Sequence, residues 1–323
     1  MPEFVLEVRS VGPYNPGVSG LFVHPVSAST RYCAVYGHPV KHSASPAMQN
    51  AGIAALGLDW RYVAFDVAPE NLRTAIAGAM AMQFVGLNLT VPHKLLALDI
   101  VDALDDSARQ WGAVNTIRFE ARDTRGTWKP LWCFDEVPME VRAHGFNTDA
   151  DAIAIAIRES LRIELQGARV LLLGAGGAGR AAALKLAQQG AAELHLVNRT
   201  ESKAEEVARD IRQRYPAGRV SVGYPKQPVD LVINATSQGL KSGDSLPLDE
   251  GAFPLRNAAA VYDMIYRPAT TPLLEAARAA GCRAANGLGM LLHQGAKALE
   301  LWTGHTAPID VMRRALQENV YGK

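Results

Sequence analysis

In this 323-residue chain, the run Gly174-Ala175-Gly176-Gly177-Ala178-Gly179 fits G-x-G-x-x-G, a spacing that can hold a pyrophosphate. It follows the apolar stretch Arg169-Val170-Leu171-Leu172-Leu173 and opens an alanine-rich one, the strand–turn–helix context the motif needs. Gly174 would permit the tight turn, Gly176 a close backbone approach to phosphate, and Gly179 contact between helix and strand. Free N–H groups at the helix start, including those of Gly177 and Ala178, would face the anion. The same glycines would also serve a tight turn with no ligand. Choice of dinucleotide depends on the end of the next strand, where an NAD site usually places Asp or Glu. Here the chain reads Asn198-Arg199-Thr200, with Lys203 one helical turn later. A neutral amide and two cations suit a 2′-phosphate, so the residues point to NADP, although a solvated helix start would carry the same cations.

Three polar segments lie in the first half, just beyond expected strand ends. In His42-Ser43-Ala44-Ser45-Pro46, two hydroxyls stand two residues apart and would face one carboxylate or hydroxyl from an extended segment. Equally, Ser45 would cap a helix and Ser43 would stabilise the turn. In Asn88-Leu89-Thr90-Val91-Pro92-His93-Lys94, Asn88 and Thr90 share one strand face, and Pro92 opens a helix carrying Lys94 in its first turn. A cation is unfavourable at that end of a helix, which marks Lys94 as a candidate acid or base; a solvated lysine is the alternative. The third segment is Asn115 in Ala113-Val114-Asn115-Thr116, followed by Asn147-Thr148-Asp149. A carboxylate at Asp149 could pair with Lys94, or simply favour its helix start. The histidines form no metal pattern: His38 and His42 are split by Pro39 and lack an acidic partner at ligand spacing, so no metal is expected.

These residues need a scaffold of alternating strands and helices, and the chain supplies one. Strands are predicted at 32–36, 60–65, 85–90 and 113–118, with helices at 45–56, 69–82 and from Pro92 onward. Residues 119–143 break the rhythm with charge clusters, two prolines and two tryptophans, and read as a hairpin or long surface loop. After a helix from Asp149, strands at 169–173, 193–198, 229–234 and 259–264 alternate with helices at 178–189, 202–215 and 271–280. Two further helices, 289–303 and 308–319, close the chain. The fold class is α/β, mostly parallel, in two domains. Residues 1–30 read as an extension without periodicity.

Composition narrows the function classes. With 33 Lys and Arg against 32 Asp and Glu, the net charge of +1 gives no electrostatic reason for a nucleic-acid or membrane partner. Cys33, Cys133 and Cys282 are odd in number and far apart, which excludes a disulfide framework and fits a reducing, cytoplasmic setting. No apolar run approaches a membrane span, and the first thirty residues lack a signal pattern.

Taken in order, the segments from about Tyr36 to Gly304 resemble shikimate dehydrogenases. The resemblance runs through 37–46, 88–94, Gly112 to Thr116, Gly145 to Asp149, 174–179 and 198–200. It continues through Asp230 to Thr236, Tyr262-Asp263-Met264-Ile265-Tyr266 and Asn286 to Leu291. It implies a substrate domain of 31–148 plus 287–323, with a Rossmann-type NADP domain of 149–286 inserted between. It also implies the reversible NADPH-dependent reduction of 3-dehydroshikimate to shikimate in chorismate and aromatic amino-acid biosynthesis. Lys94 and Asp149 would be the catalytic pair. Ser43, Ser45, Thr90, Lys94, Asn115, Asp149, Tyr266 and Gln294 would hold substrate, with Asn88 supporting the loop. Thr236, Met264 and Gly287 would join Gly174–Gly179, Asn198, Arg199, Thr200 and Lys203 around the cofactor. A homodimer is common in the family, and a monomer is equally compatible with the chain. The sequence departs from the family at His93, commonly aromatic, at Ala150, commonly glycine, and in the length of 119–143. Two other readings compete: an NAD-dependent quinate/shikimate dehydrogenase, and a dinucleotide sensor without turnover.

Overall fold

The structure, a computed structural model, describes residues 25–241 and 243–322, so most of the extension expected over 1–30 lies outside the described residues. Two sheets organise the chain. The first is built from β1 (Arg31–Gly37), α1 (Ser45–Ala55), β2 (Trp60–Asp66), α2 (Leu72–Ala81), β3 (Gly86–Leu89) and α3 (His93–Leu96). It continues with β4 (Ala103–Leu104), α4 (Asp106–Trp111), β5 (Thr116–Arg122), β6 (Trp128–Pro130) and β7 (Val141–Phe146). Helix α5 (Asp149–Leu161) leads to the second sheet: β8 (Arg169–Leu173), α6 (Gly177–Gln188), β9 (Glu193–Val197), α7 (Glu201–Arg214) and β10 (Arg219–Val222). Then follow β11 (Val229–Asn234), β12 (Ala258–Asp263), α8 (Pro272–Ala279), β13 (Arg283–Asn286), α9 (Leu288–Thr303) and α10 (Ile309–Tyr321).

The second sheet is wholly parallel, in the order β10-β9-β8-β11-β12-β13. Numbered along the chain this is 3-2-1-4-5-6, the doubly wound dinucleotide-binding order, which reverses direction between β8 and β11. The first sheet runs β2-β1-β3-β5-β7-β4, with β6 beside β5. It is mixed, because β5 is antiparallel to β3, β6 and β7. Its own reversal lies between β1 and β3.

Residues 119–143 account for the mixture. Ile117, Phe119 and Ala121 are fully buried while Arg118, Glu120 and Arg142 collect on the opposite face, a period-two strand pattern hidden by its charges. Glu120 is itself buried. Burial alone would raise its pKa, but hydrogen bonds from His144, Arg118 and Arg142 outweigh that and hold it at about 2. β5 therefore runs from Thr116 to Arg122, later at both ends than the expected 113–118.

The last two helices return to the first sheet, packing with α1 over its face in a core that includes Met48, Ile53, Leu299, Trp302 and Met312. Close approach needs small residues there. A Cβ on Gly295 would sit 2.2 Å from the Met48 side chain, and one on Gly52 2.9 Å from that of Leu299. Trp302 is fully buried and its indole N–H donates to the Ile117 carbonyl, fixing α9 to β5.

Candidate active site

In open α/β sheets, ligands sit beyond the carboxyl ends of strands where strand order reverses. Here the first sheet's reversal point opens onto a cleft of about 320 Å³, which residues beyond β12 of the second sheet also line. From the first sheet come the segments after β1 and β3, carrying His42, Ser43, Ser45, Asn88, Thr90 and Lys94. These segments meet closely: Thr90 N–H donates to the Tyr36 carbonyl, and a Cβ on Gly37 would lie 2.4 Å from the Thr90 methyl. Asp149 enters from the start of α5, Met264 and Tyr266 from beyond β12, and Gly287, Met290 and Gln294 from the start of α9.

Lys94 Nζ and Asp149 Oδ2 are 2.6 Å apart, with the lysine side chain 31% exposed and the carboxylate 13%. The pair is thus shielded on the acid side and open to a ligand on the amine side. Asp149 occupies the first turn of α5, where Asn147 Oδ1 accepts from the N–H groups of Asp149 and Ala150. Helix α3 spans only four residues, so the dipole objection to Lys94 has little force. What sets it apart is a carboxylate partner that lines the same cleft. His93 faces away: it is fully buried, does not line the cleft, and burial holds its imidazole below its usual pKa.

Ser45 is the first residue of α1 and makes no side-chain cap, so its expected capping role is absent; Ala44 occupies the cap position with helical backbone angles. Ser43 Oγ does accept from the Ser45 N–H at 3.3 Å, and both hydroxyls still line the cleft. Asn115 does not line it. Its side chain is enclosed, donating to Thr148 Oγ1 and accepting from Thr148 N–H, just before β5 begins at Thr116. Gln294 Nε2 is turned back to the Leu291 carbonyl, and the Tyr266 carbonyl is held by the Tyr321 hydroxyl at the end of α10.

The glycine-rich turn lies at the reversal point of the second sheet. Gly174 has φ +102°, and a Cβ there would lie 3.0 Å from the Ala235 carbonyl group. A Cβ on Gly179 would lie 2.0 Å from the Gly174 carbonyl oxygen, so α6 rests directly on the turn. Gly176 and Gly177 have open space in front of them, and with Ala178 they are exposed at the helix start. That cradle fits a pyrophosphate. Asn198 Oδ1 accepts from the Ala175 N–H, which ties the end of β9 to the turn. Arg199, Thr200 and Lys203 are exposed beside it, and neither cation has a side-chain partner among the described residues. Thr236 is held by Asn234, and Gly287 lies against Met264, whose carbonyl oxygen a Cβ on Gly287 would approach to 2.0 Å.

Three contributors escaped the sequence reading. His42 lines the cleft beside Ser43. Asp263 is buried at the end of β12, where burial raises its pKa; it accepts from Thr271, Ile265 N–H and Asn234, shaping the loop that carries Met264 and Tyr266. Tyr62, on β2, donates to Asn88 Oδ1 at 2.7 Å from behind the cleft. Buried residues such as Asp263 and Tyr62 carry no local sequence signal for this role.

Three family models match the chain. They are the shikimate dehydrogenase substrate binding domain over residues 35–117, shikimate / quinate 5-dehydrogenase over 156–239, and the shikimate 5'-dehydrogenase C-terminal domain over 287–317. The shikimate dehydrogenase (NADP(+)) of Methanopyrus kandleri is 39% identical over 302 residues, covering 91% of this chain and 98% of its own. Shikimate 5-dehydrogenase from Thermus thermophilus, solved in complex with NADP(H) and shikimate, is 35% identical with a TM-score of 0.74, covering 90% and 99%. The ligand-free 5-ketofructose reductase of Gluconobacter is 34% identical with a TM-score of 0.75, also covering 90% and 99%.

Proposed function

The chain belongs to the shikimate dehydrogenase family, and on that premise we propose that it interconverts 3-dehydroshikimate and shikimate with NADP, in the route to chorismate and aromatic amino acids. The carrying observation is the 2.6 Å Lys94–Asp149 pair, set in a cleft between the hydroxyls of Ser43, Ser45 and Thr90 and the Met264–Gly287 contact. Gly174 to Gly179 would hold the pyrophosphate and Arg199 with Lys203 the 2′-phosphate. NADPH, when bound, supplies the hydride taken up by the C3 carbonyl carbon of the substrate. As that carbonyl oxygen gains charge, Lys94 Nζ donates a proton to it, giving the C3 hydroxyl, while Asp149 holds the amine in place. In the oxidative direction the same nitrogen accepts the hydroxyl proton. Ser43 and Ser45 would bind the carboxylate, and Thr90, Tyr266 and Gln294 the ring hydroxyls. Asn115 would act on the ring hydroxyls only after releasing Thr148.

The division into 31–148 with 287–323 and 149–286 is supported by the two sheets and by the return of α9 and α10 to the first. Three unpaired cysteines support a reducing, cytoplasmic setting, and family membership supports a homodimer, which light scattering would read. Initial rates with shikimate, quinate and 5-ketofructose, each with NADP and NAD, test the reading. Turnover confined to shikimate with NADP is expected. A preference for quinate with NAD, or for 5-ketofructose reduction, would replace the substrate assignment, and cofactor binding without turnover would mark a sensor.

A further inference from the structure

Behind the cleft runs a closed circuit of buried side chains. The Tyr62 hydroxyl, on β2, donates to Asn88 Oδ1 at 2.7 Å. With its oxygen engaged there, Asn88 turns Nδ2 toward β5, donating to Thr116 Oγ1 at 3.0 Å and to the Asn115 carbonyl at 3.3 Å. Thr116 Oγ1 in turn donates to Asn115 Oδ1 at 3.2 Å. That oxygen also accepts from Thr148 N–H at 2.8 Å, and Asn115 Nδ2 donates to Thr148 Oγ1 at 2.9 Å. All five residues are at most 5% exposed. Each amide therefore has one orientation, set by its neighbour, and the direction of donation runs from Tyr62 toward Thr148.

Both members of the catalytic pair hang from this circuit. Thr148 immediately precedes Asp149. On the other side, the Lys94 carbonyl accepts from Val114 N–H, next to Asn115. We propose that Tyr62 is a positioning residue for the reaction: by fixing the Asn88 amide it orients Thr116, Asn115 and Thr148, and so holds Asp149 against Lys94. Removing its hydroxyl leaves the buried Asn88 Oδ1 without that donor, so the amide is held only through Nδ2, by Thr116 Oγ1 and the Asn115 carbonyl, and can shift into the space vacated. Thr116 and Asn115 shift with it, and with them the bonds that hold Thr148. The inference rests on the functional reading above.

The test is steady-state oxidation of shikimate with NADP by wild type, Tyr62→Phe, Thr116→Val and the double variant, with Tyr36→Phe as a control. Tyr36 is also a buried tyrosine, whose hydroxyl among the described residues donates only to a backbone carbonyl, that of Ala75. A displacement of the pair by a fraction of an ångström to one ångström lowers kcat by about 10- to 100-fold in Tyr62→Phe, while NADP affinity stays within about twofold. Thr116→Val lowers kcat by a similar factor, the double variant loses no more than the worse single, and Tyr36→Phe stays within about twofold of wild type. An active wild type with kcat preserved in Tyr62→Phe, or losses that multiply in the double variant, would overturn the positioning role alone. A wild type inactive on shikimate would overturn the functional reading and this inference together. If Tyr62→Phe does not fold, preserved kcat in Thr116→Val is itself the refuting result.

Discussion

Replacing Gly179 with alanine tests whether the glycine-rich turn acts as a phosphate cradle. The added Cβ would begin 2.0 Å from the Gly174 carbonyl oxygen and 2.8 Å from its carbon, both rigid backbone atoms. Reaching an ordinary 3.4 Å separation from the oxygen requires α6 and the turn to part by about 1.4 Å. An N–H···O bond of about 2.9 Å stretched by even half of that no longer counts as one. The first-turn N–H groups would lose at least one charge-assisted bond to phosphate, worth roughly 1.5–3 kcal/mol, or about a 10- to 100-fold weaker NADP affinity. Strain within the turn would cost stability of the order of 1–3 kcal/mol. Calorimetric titration of folded Gly179→Ala with NADP, and separately with shikimate, reads both sides of the cleft. Shikimate affinity should hold while NADP affinity falls. A folded variant that binds NADP within about threefold of wild type would refute the cradle, because no 1.4 Å displacement could leave those bonds intact.

Lys94→Met should lower kcat by about 10²- to 10⁴-fold, with shikimate affinity changed far less; near-normal turnover would remove Lys94 from proton transfer. Arg199→Ala should raise the KM for NADP by about 10- to 100-fold while leaving that for NAD within about threefold, and equal losses would contradict the 2′-phosphate assignment. Glu120 has a folded pKa of about 2 against an ordinary 4.5, so its ionised form stabilises the folded chain fully above pH 4.5, and that stabilisation is lost as pH falls toward 2. The displacement corresponds to roughly 3 kcal/mol. The melting-temperature gap between wild type and Glu120→Gln should therefore narrow steadily between pH 4.5 and pH 2; a gap independent of pH would show that the carboxylate charge contributes nothing.

What the sequence revealed follows from the range of the forces involved. Apolar runs such as 169–173 and 229–234 mark buried parallel strands directly, and the glycine spacing at 174–179 is a local steric demand. β10 and β13 were not anticipated. Arg219-Val220-Ser221-Val222 is half polar, and Arg283-Ala284-Ala285-Asn286 has weak strand propensity, so their pairing with β9 and β12 makes them strands. The arm at 119–143 read as a hairpin or a long surface loop, and β5 with β6 forms the hairpin; its strand bounds stayed hidden because Arg118, Glu120 and Arg142 resemble solvated charges until the strands bring them together. At the site, Lys94 and Asp149 were legible as types with a shared chemistry, but the enclosure of Asn115 depends on Thr148, 33 residues away. Tyr62 was invisible for the same reason.

The chain passes between its two sheets twice, outward along α5 and back into α9, and these helices lie against one another. A Cβ on Gly289 would sit 3.2 Å from the Ala156 Cβ, and Glu159 bonds both His293 and Arg313. The two crossings thus form a rivet, with Asp149 at one end of the first strap and Gly287 at the root of the second. When two blades turn on a rivet, points travel in proportion to their distance from it. Were the two sheets to turn about this contact, outer strands such as β10 would sweep the longest arcs and the carboxylate near the pivot the shortest. Opening to admit a dinucleotide can therefore be wide at the rim and small where the proton moves, so that the reacting groups need little reassembly at each turnover.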